Sequence, residues 1–231
     1  MQPRRRVRAL AVTLLLVATC AAGGVFAWMR WGPSAASEDL GLDLVIALVL
    51  PDETDVVLPR VVMRLRVEHP SPDVYLVDVE HVDPLRTTEI PGTSYHALRD
   101  AYSFGGGAGL ARATVTGPGP TPAYLIVGVD TWLELTAGDA VSVDVPRQID
   151  VFDGAVLRTF PRGPARLSGD DVIALLNGAD YLPAEERERL REDLGQGLLD
   201  TLGTARALPT QTITDLDSAQ SERLLEALSG R

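Results

Sequence analysis

The stretch Leu98-Arg99-Asp100-Ala101-Tyr102-Ser103-Phe104-Gly105-Gly106, with Glu89-Ile90-Pro91-Gly92 shortly before it, decides the fold of this 231-residue chain. Pro91-Gly92 predicts a turn, and residues 94–104 predict a short helix after it. The glycines at 105–107 break that helix, because glycine loses more backbone freedom than other residues when a helix fixes it. Residues 108–116 predict a second short helix.

Strands are predicted on both sides of this helical segment. Residues 42–50 form a short, almost wholly apolar run, which indicates a buried strand. Residues 56–67 are predicted to form a second strand, because Met63, Leu65 and Val67 alternate with Arg64 and Arg66, as in half-exposed strands. Further strands are predicted at residues 73–79, 123–129, 140–145 and 154–160, the last as a hairpin partner.

The C-terminal third changes to a helical period. Ser168 is a candidate N-cap for a helix that ends at Asn177-Gly178. Pro183 opens a long helix, and residues 217–228 form the last one. Strands interspersed with helices predict an α/β (α/β/α layered) domain, with a central mixed β-sheet flanked by helices.

The composition excludes several classes of partner. The formal net charge is −11, but residues 38–231 carry 16 arginines against 32 acids, so this part is near −16. Such an acidic body repels the nucleic acid backbone, and no nucleic acid partner is expected. A single cysteine, Cys20, excludes an intrachain disulfide and a thiolate metal site.

The N-terminal segment predicts a membrane anchor. Residues 9–29 are 21 residues without a charge, enough at 1.5 Å per residue to cross roughly 30 Å of hydrocarbon. Four arginines precede them, so residues 1–8 are predicted in the cytoplasm. Residues 30–41 are then a linker, and residues 42–231 an extracytoplasmic domain of a single-pass protein of the cytoplasmic (inner) membrane. The alternatives are a signal peptide cleaved near Ala21-Ala22-Gly23-Gly24 and a lipoprotein modified at Cys20.

These motifs resemble the LytR-CpsA-Psr family of membrane-anchored cell-envelope proteins. Residues 98–106 resemble that family's "IN-x-AY-x-YGG" helix and loop, and residues 89–92 its "IPG". Residues 124–130 resemble its "YVVVDF" strand, and residues 163–176 its "G-x-x-x-LdG-x-x-AL" segment. The resemblance implies binding of a polyprenyl-phosphate-linked glycan, transfer to peptidoglycan, and Mg²⁺ as the metal.

The sequence departs from the family at positions that carry chemistry. The family places "R-x-R" directly after the helix that starts near Ser168, where this chain has Asn177-Gly178-Ala179. Further on it has "R-x-x-R-Q", where this chain has Arg187-Glu188-Arg189-Leu190-Arg191-Glu192. The last segment indicates a solvated helix face with ion pairs worth a few tenths of a kcal/mol each.

Candidate site residues follow from the need for cations around a diphosphate. Arg86 is the candidate catalytic residue, and the candidate phosphate-binding residues are Arg64, Arg66, Arg86 and Arg99. The alternatives are a surface loop for Arg86 and a solvated edge strand for Arg64 and Arg66, two residues apart on one face.

Two other sets of candidates concern metal and lipid. Asp52 and Asp55 offer hard oxygen ligands to Mg²⁺, or else form an acidic turn. The candidate lipid-pocket residues are Leu125, Val127, Ile173 and Leu176. These four side chains could equally pack a closed core.

The predicted function is therefore a membrane-anchored protein that binds polyprenyl-phosphate-linked envelope precursors, with reduced or lost catalysis. If active, it is a phosphotransferase that ligates glycopolymers from polyprenyl diphosphate. The alternative is an inert extracytoplasmic scaffold that binds envelope proteins through its acidic face. A third hypothesis keeps full transferase activity, with Arg64 and Arg86 in place of the missing arginines.

Overall fold

A computed structural model describes residues 41–52, 55–71, 74–115, 117–137, 139–152 and 156–230. The strands are β1 (Leu42–Pro51), β2 (Val57–Ser71), β3 (Val74–His81), β4 (Ala123–Val127), β5 (Val141–Val145), β6 (Ile149–Phe152), β7 (Leu157–Phe160), β8 (Gly163–Leu167) and β9 (Ile213–Thr214). The helices are α1 (Leu98–Thr114), α2 (Val129–Leu135), α3 (Gly169–Ala179), α4 (Ala184–Thr204) and α5 (Ser218–Ser229).

The central sheet has five strands in the order β3-β2-β1-β4-β9. Strand β1 is parallel to β4 and antiparallel to β2, which in turn is antiparallel to β3. The predicted mixed sheet is therefore confirmed. Because β1, β3 and β4 run in one direction, their carboxyl ends lie at one edge of the sheet, together with the start of β2.

Helices cover both faces of this sheet, which explains why β1 is apolar at nearly every position. Leu44, Ile46 and Leu48 of β1 pack on one face with α3, α4 and α5. Val45 and Ala47 pack on the other face with Leu98 and Leu110 of α1. The α/β/α layering predicted from the sequence is thus present.

Two small ladders, β5–β8 and β6–β7, lie outside the central sheet. Of the predicted hairpin partner over residues 154–160, residues 157–160 form β7, which pairs antiparallel with β6 from Ile149–Phe160 to Phe152–Leu157. Buried Trp132 of α2 donates from Nε1 to the carbonyl of Gly169 at 3.1 Å, which ties α2 to the start of α3.

The helical segment that decides the fold is α1, a helix with an internal break. Gly106 has φ +57° and ψ −150°, a conformation outside the helical region that glycine adopts without steric cost. The predicted break at residues 105–107 is therefore confirmed. The helix begins at Leu98, four residues later than predicted, because residues 91–94 form a turn and Ala97 forms an isolated β-bridge with Thr87.

Two element boundaries were predicted wrongly. Strand β4 ends at Val127, and α2 begins at Val129, where the sequence suggested a continuous strand to residue 129. Helix α3 passes through Asn177-Gly178 and ends at Ala179. Gly178 does not end the helix but lets α3 pack closely against β6, since a Cβ at this position would lie 2.5 Å from Val151 Cγ2.

The predicted anchor and most of the linker lie in residues 1–40, outside the described residues. Within the described ranges, no helix combines the length and the apolar character that crossing a bilayer requires.

Candidate anion-binding site

Charged side chains from five parts of the chain meet at the carboxyl edge of the sheet. They come from the start of β2, the loop after β3, the first turn of α1, the end of α3 and the first half of α4. We call this set the arginine–aspartate cluster: Arg60, Asp83, Arg99, Asp180, Arg187 and Arg191. In open α/β sheets, ligands bind beyond the carboxyl ends of the strands, so this edge is where a site is expected.

Asp180 is at the centre of the cluster. Its Oδ2 accepts a hydrogen bond from Arg60 Nη1 and lies 4.0 Å from Arg99 Nη1. Its Oδ1 accepts from Arg191 Nη2 at 2.9 Å. Asp180 caps the C-terminus of α3, where the helix dipole disfavours a carboxylate. The three guanidinium groups around the carboxylate offset that cost.

Asp83 holds the other side of Arg191. Its Oδ1 accepts from Arg191 Nη1 at 3.2 Å and from the backbone N–H of Leu85 at 3.0 Å. Arg191 is only 6% exposed. Burial lowers the pKa of its guanidinium, and the neighbouring charges of Arg187 and Arg60 lower it further, while Asp180 and Asp83 raise it. An arginine tolerates such shifts and remains cationic.

A bulge in β2 places Arg60. Leu48 pairs with Val61 and Val49 with Pro59, so Arg60 is the extra residue of the strand. Bulges re-aim a side chain and are frequent beside binding sites. Arg60 is 5% exposed, and its guanidinium is directed to Asp180 rather than into the apolar core.

The cluster has more buried donors than acceptors. Within the described part of the chain, the Nε–H groups of Arg60, Arg99, Arg187 and Arg191 are buried and have no hydrogen-bond acceptor. Leaving a buried charged donor unpaired costs free energy. The cluster is thus suited to an anion with several oxygens, which would supply these acceptors.

A cavity of about 250 Å³ opens beside the cluster. Its lining includes Asp83 and Arg191, with His81, Glu188 and Glu192 around them. A larger groove of about 580 Å³ runs between α4 and the β5–β8 ladder, where Asp144, Asp193 and Asp200 are exposed to a ligand. Each cavity is lined by three carboxylates and one arginine, and the smaller one is the better candidate for an anion site because its arginine, Arg191, is buried and belongs to the cluster.

Of the predicted phosphate-binding residues, Arg99 belongs to the cluster. Arg64 instead binds Asp43 through Nε at 2.8 Å and Nη2 at 2.6 Å, and Arg66 is an exposed partner of Asp78 at 3.7 Å. Arg86, the predicted catalytic residue, donates from Nη2 to the carbonyls of Ala113 and Thr114 at the end of α1. The structure does not bring these three arginines to one pocket.

The predicted metal ligands form a turn. Asp52 Oδ1 accepts from the backbone N–H of Val56 at 3.0 Å, and Asp55 donates its N–H to the carbonyl of Asp52 at 3.1 Å. Asp55 has φ +60°, typical of a tight turn. Among the residues that the structure describes, no three His, Cys, Asp or Glu side chains are placed to hold a metal ion.

The predicted lipid-pocket residues lie in the core between the sheet and the helices. Leu125, Val127 and Leu176 are at most 1% exposed, and Ile173 packs beside them. Neither of the two cavities above is lined by these side chains.

The arginine-rich part of α4 is only partly a solvated helix face. That interpretation holds for Arg189, which is 70% exposed and pairs with Glu185 at 2.6 Å. It is wrong for Arg191, which is buried and binds two aspartates of distant elements. Positions two apart on a helix face different directions, so one arginine meets water and the other the sheet.

Three residues of the cluster did not follow from the sequence reasoning. Arg60 is a lone charge in the apolar run 56–63, which is a signal of a buried and paired side chain. Asp180 stands at a helix C-terminus, a local conflict with the dipole that indicates a cationic partner. Asp83 follows a strand end, and the sequence offers no further signal for it.

The positions where the family has "R-x-R" cannot contribute to this site. Asn177 is exposed, Gly178 packs on β6, and Ala179 is fully buried in the core. The guanidinium groups of the cluster come instead from β2, α1 and α4.

The chain shares its fold with several solved structures. The chain superposes on B. subtilis TagV with a TM-score of 0.58 at 14% identity, over 84% of this chain and 81% of that chain. For TagT bound to LIIa-WTA the TM-score is 0.55 at 12% identity, over 83% and 75% of the two chains. For a LytR-Csp2A-Psr enzyme from Actinomyces oris it is 0.53 at 20% identity, over 86% and 71%. No protein-family model and no curated protein matches the sequence.

Proposed function

We propose that this chain, which has the LytR-CpsA-Psr fold, binds a polyprenyl-diphosphate-linked envelope precursor and holds its diphosphate in the arginine–aspartate cluster. The observation that carries the proposal is the convergence of four arginines, two of them almost fully buried, on the carboxyl edge of the sheet. TagT, a protein of the same fold, is bound to LIIa-WTA, which supports a glycopolymer-linked ligand for this chain too.

Guanidinium groups suit this ligand for geometric reasons. Each offers a planar fork of N–H donors that matches two phosphate oxygens, and burial makes every such bond stronger than it is in water. The free Nε–H groups of the cluster are donors of this kind. The cavity of about 250 Å³ beside Arg191 provides the space for the headgroup.

The isoprenoid part of the ligand requires an apolar surface. We place it between the sheet and α3, against Leu125, Val127, Ile173 and Leu176. These side chains are tightly packed, so entry of the lipid requires α3 to move away from the sheet. The apolar run at residues 9–29 would hold the domain at the outer face of the cytoplasmic membrane, where such lipids reside.

Transfer of the glycan is proposed to be weak or absent. Asp83 and Asp180 neutralise part of the arginine charge that would otherwise stabilise negative charge developing during transfer. The sequence also lacks the arginines of the family's "R-x-R". On this basis the chain binds a diphosphate better than it transforms one.

Native mass spectrometry of the full chain, extracted from membranes with a mild detergent, tests this proposal. We expect the protein in the membrane fraction and a mass increment that corresponds to a polyprenyl phosphate or diphosphate. Protein that is consistently without lipid, even after incubation with a prenyl diphosphate, would contradict the proposal and favour the scaffold hypothesis. Recovery in the soluble fraction would contradict the anchor.

A further inference from the structure

The carboxylates at the proposed headgroup site are already engaged. Asp180 uses both oxygens for arginine donors, Oδ2 for Arg60 and Oδ1 for Arg191. Asp83 Oδ1 accepts from Arg191 and from a backbone N–H. A Mg²⁺ ion needs near-octahedral oxygen coordination and usually direct carboxylate ligands. To bind it, Asp180 would have to give up contacts with buried arginines, whereas Asp83 could offer only its second oxygen, Oδ2, as a ligand.

Other described carboxylates do not replace them. Asp52 and Asp55 form a turn of their own, and within the described ranges no group of three potential ligands is arranged for an ion. Glu188 and Glu192 line the mouth of the cavity but are exposed, so water screens their charge. The donor set of the cluster therefore does not fit the divalent metal that the family resemblance implies.

The charge of the cluster instead fits the headgroup directly. The cluster itself has four guanidinium groups and two carboxylates, a formal excess of two positive charges, while the exposed Glu188 and Glu192 line the adjoining cavity. A diphosphate diester carries about two negative charges, spread over oxygens that match guanidinium forks. Its oxygens would also accept from the unpaired Nε–H group of Arg191, the arginine of the cluster that lines the cavity.

We infer that arginine takes the place of the divalent cation in this chain, so that it binds the diphosphate headgroup without Mg²⁺. The inference rests on the proposed function, because it concerns the same ligand and the same site. It makes the cluster a metal-independent diphosphate receptor, in which Arg60 and Arg191 provide the charge that Mg²⁺ would bring.

Titration calorimetry on the detergent-solubilised full chain, with farnesyl diphosphate as the probe, tests this inference. We expect the Kd in EDTA to equal the Kd in millimolar Mg²⁺ within about twofold, or to be tighter. Binding that needs Mg²⁺ and is lost in EDTA would overturn the inference and leave the proposed function intact. Absence of binding under both conditions would overturn the proposed function and the inference with it.

A second measurement separates a metal on the protein from a metal on the probe. Mn²⁺ in place of Mg²⁺ should give an electron paramagnetic resonance spectrum of free and diphosphate-bound ion, with no additional protein-bound signal. A protein-bound Mn²⁺ signal that disappears in Asp83→Asn but persists in Asp43→Asn would overturn the inference. Asp43 is the matched control, because it binds an arginine of the sheet outside the cluster.

Discussion

At the scale of single residues, Asp180 acts on the cluster in two opposing ways. It orders Arg60, Arg99 and Arg191, and it occupies donors that a diphosphate would use. Removing the charge of one partner of a buried ion pair leaves the other charge uncompensated, which lowers the stability of the fold. The same uncompensated charge attracts an anion more strongly. Asp180 is therefore both a support of the empty site and a competitor of its ligand.

The substitution Asp180→Asn separates these two roles. We expect the free energy of unfolding without ligand to fall by about 1–3 kcal/mol, because a charge-assisted acceptor becomes neutral. The affinity for farnesyl diphosphate should rise about tenfold, since the cluster gains net positive charge. Thermal unfolding with and without the probe measures both effects. A stably folded variant with unchanged or weaker affinity would show that Asp180 only positions the arginines.

At the scale of elements, the close approach of α4 to the sheet sets the position of Arg191. Gly195 lies one turn after Arg191, and a Cβ there would meet Met63 Sδ and His81 Cε1 at 2.8 Å. A Cβ at this position therefore requires the buried Met63 side chain or the His81 ring to shift, or α4 to move away from β2 and β3. Asp83 follows β3 directly, so the same contact brings Arg191 within reach of its carboxylate.

Replacing Gly195 with alanine tests this relation. In an exposed helix, replacing glycine with alanine would stabilise the protein by roughly 1 kcal/mol. At position 195 the added Cβ overpacks the contact with the sheet, which costs about 1–3 kcal/mol. We expect a lower Tm together with weaker diphosphate binding, because α4 is displaced from the sheet. Gly197→Ala is the matched control. Its Cβ would meet Val141 Cγ1 at 2.5 Å on the β5 side, so it should lower the Tm and leave binding unchanged. Equal loss of binding in both variants would contradict the proposed role of Gly195.

The sequence predicts elements better than it predicts the site, for a physical reason. Helix breaks, caps and strand periods are local, so Gly106, Ser168 and the apolar run of β1 have the predicted roles. The cluster depends on contacts between residues that are distant in sequence, since Arg60 and Asp180 are 120 positions apart. The sequence alone does not distinguish Arg187 and Arg191 from Arg189. Their different environments result from the approach of α4 to the sheet.

Tertiary context also reverses some local signals. Glycine after asparagine commonly ends a helix, but Gly178 lies inside α3. Its lack of a side chain leaves space for Val151 and Ile149 of β6. Arg86 looks like a free loop cation, yet it caps the last carbonyls of α1. In both cases the neighbour that decides the role is distant in sequence.

At the scale of the whole molecule, the acidic body and the cationic cluster are complementary. The acidic composition from residue 38 onwards disfavours nonspecific anion binding, while the buried arginines concentrate positive charge at one edge of the sheet. Under the proposed function, the protein would therefore select its anion by shape and site rather than by overall electrostatic attraction. The chain shares the fold of TagV and TagT at 12–14% identity.

The most direct measurement of the central claim is the Kd for farnesyl diphosphate in three variants. Arg191→Gln and Arg99→Gln should each weaken binding about tenfold to a hundredfold, because each removes charge-assisted hydrogen bonds worth about 1.5–3 kcal/mol. Arg189→Gln, two residues from Arg191 but exposed, should bind like the wild type. A Tm close to that of the wild type shows that each variant is folded. Substitution of Arg99, whose side chain is 30% exposed, should disturb folding less than substitution of the buried Arg191. Folded Arg99→Gln and Arg191→Gln proteins with wild-type affinity would contradict the assignment of the cluster as the headgroup site.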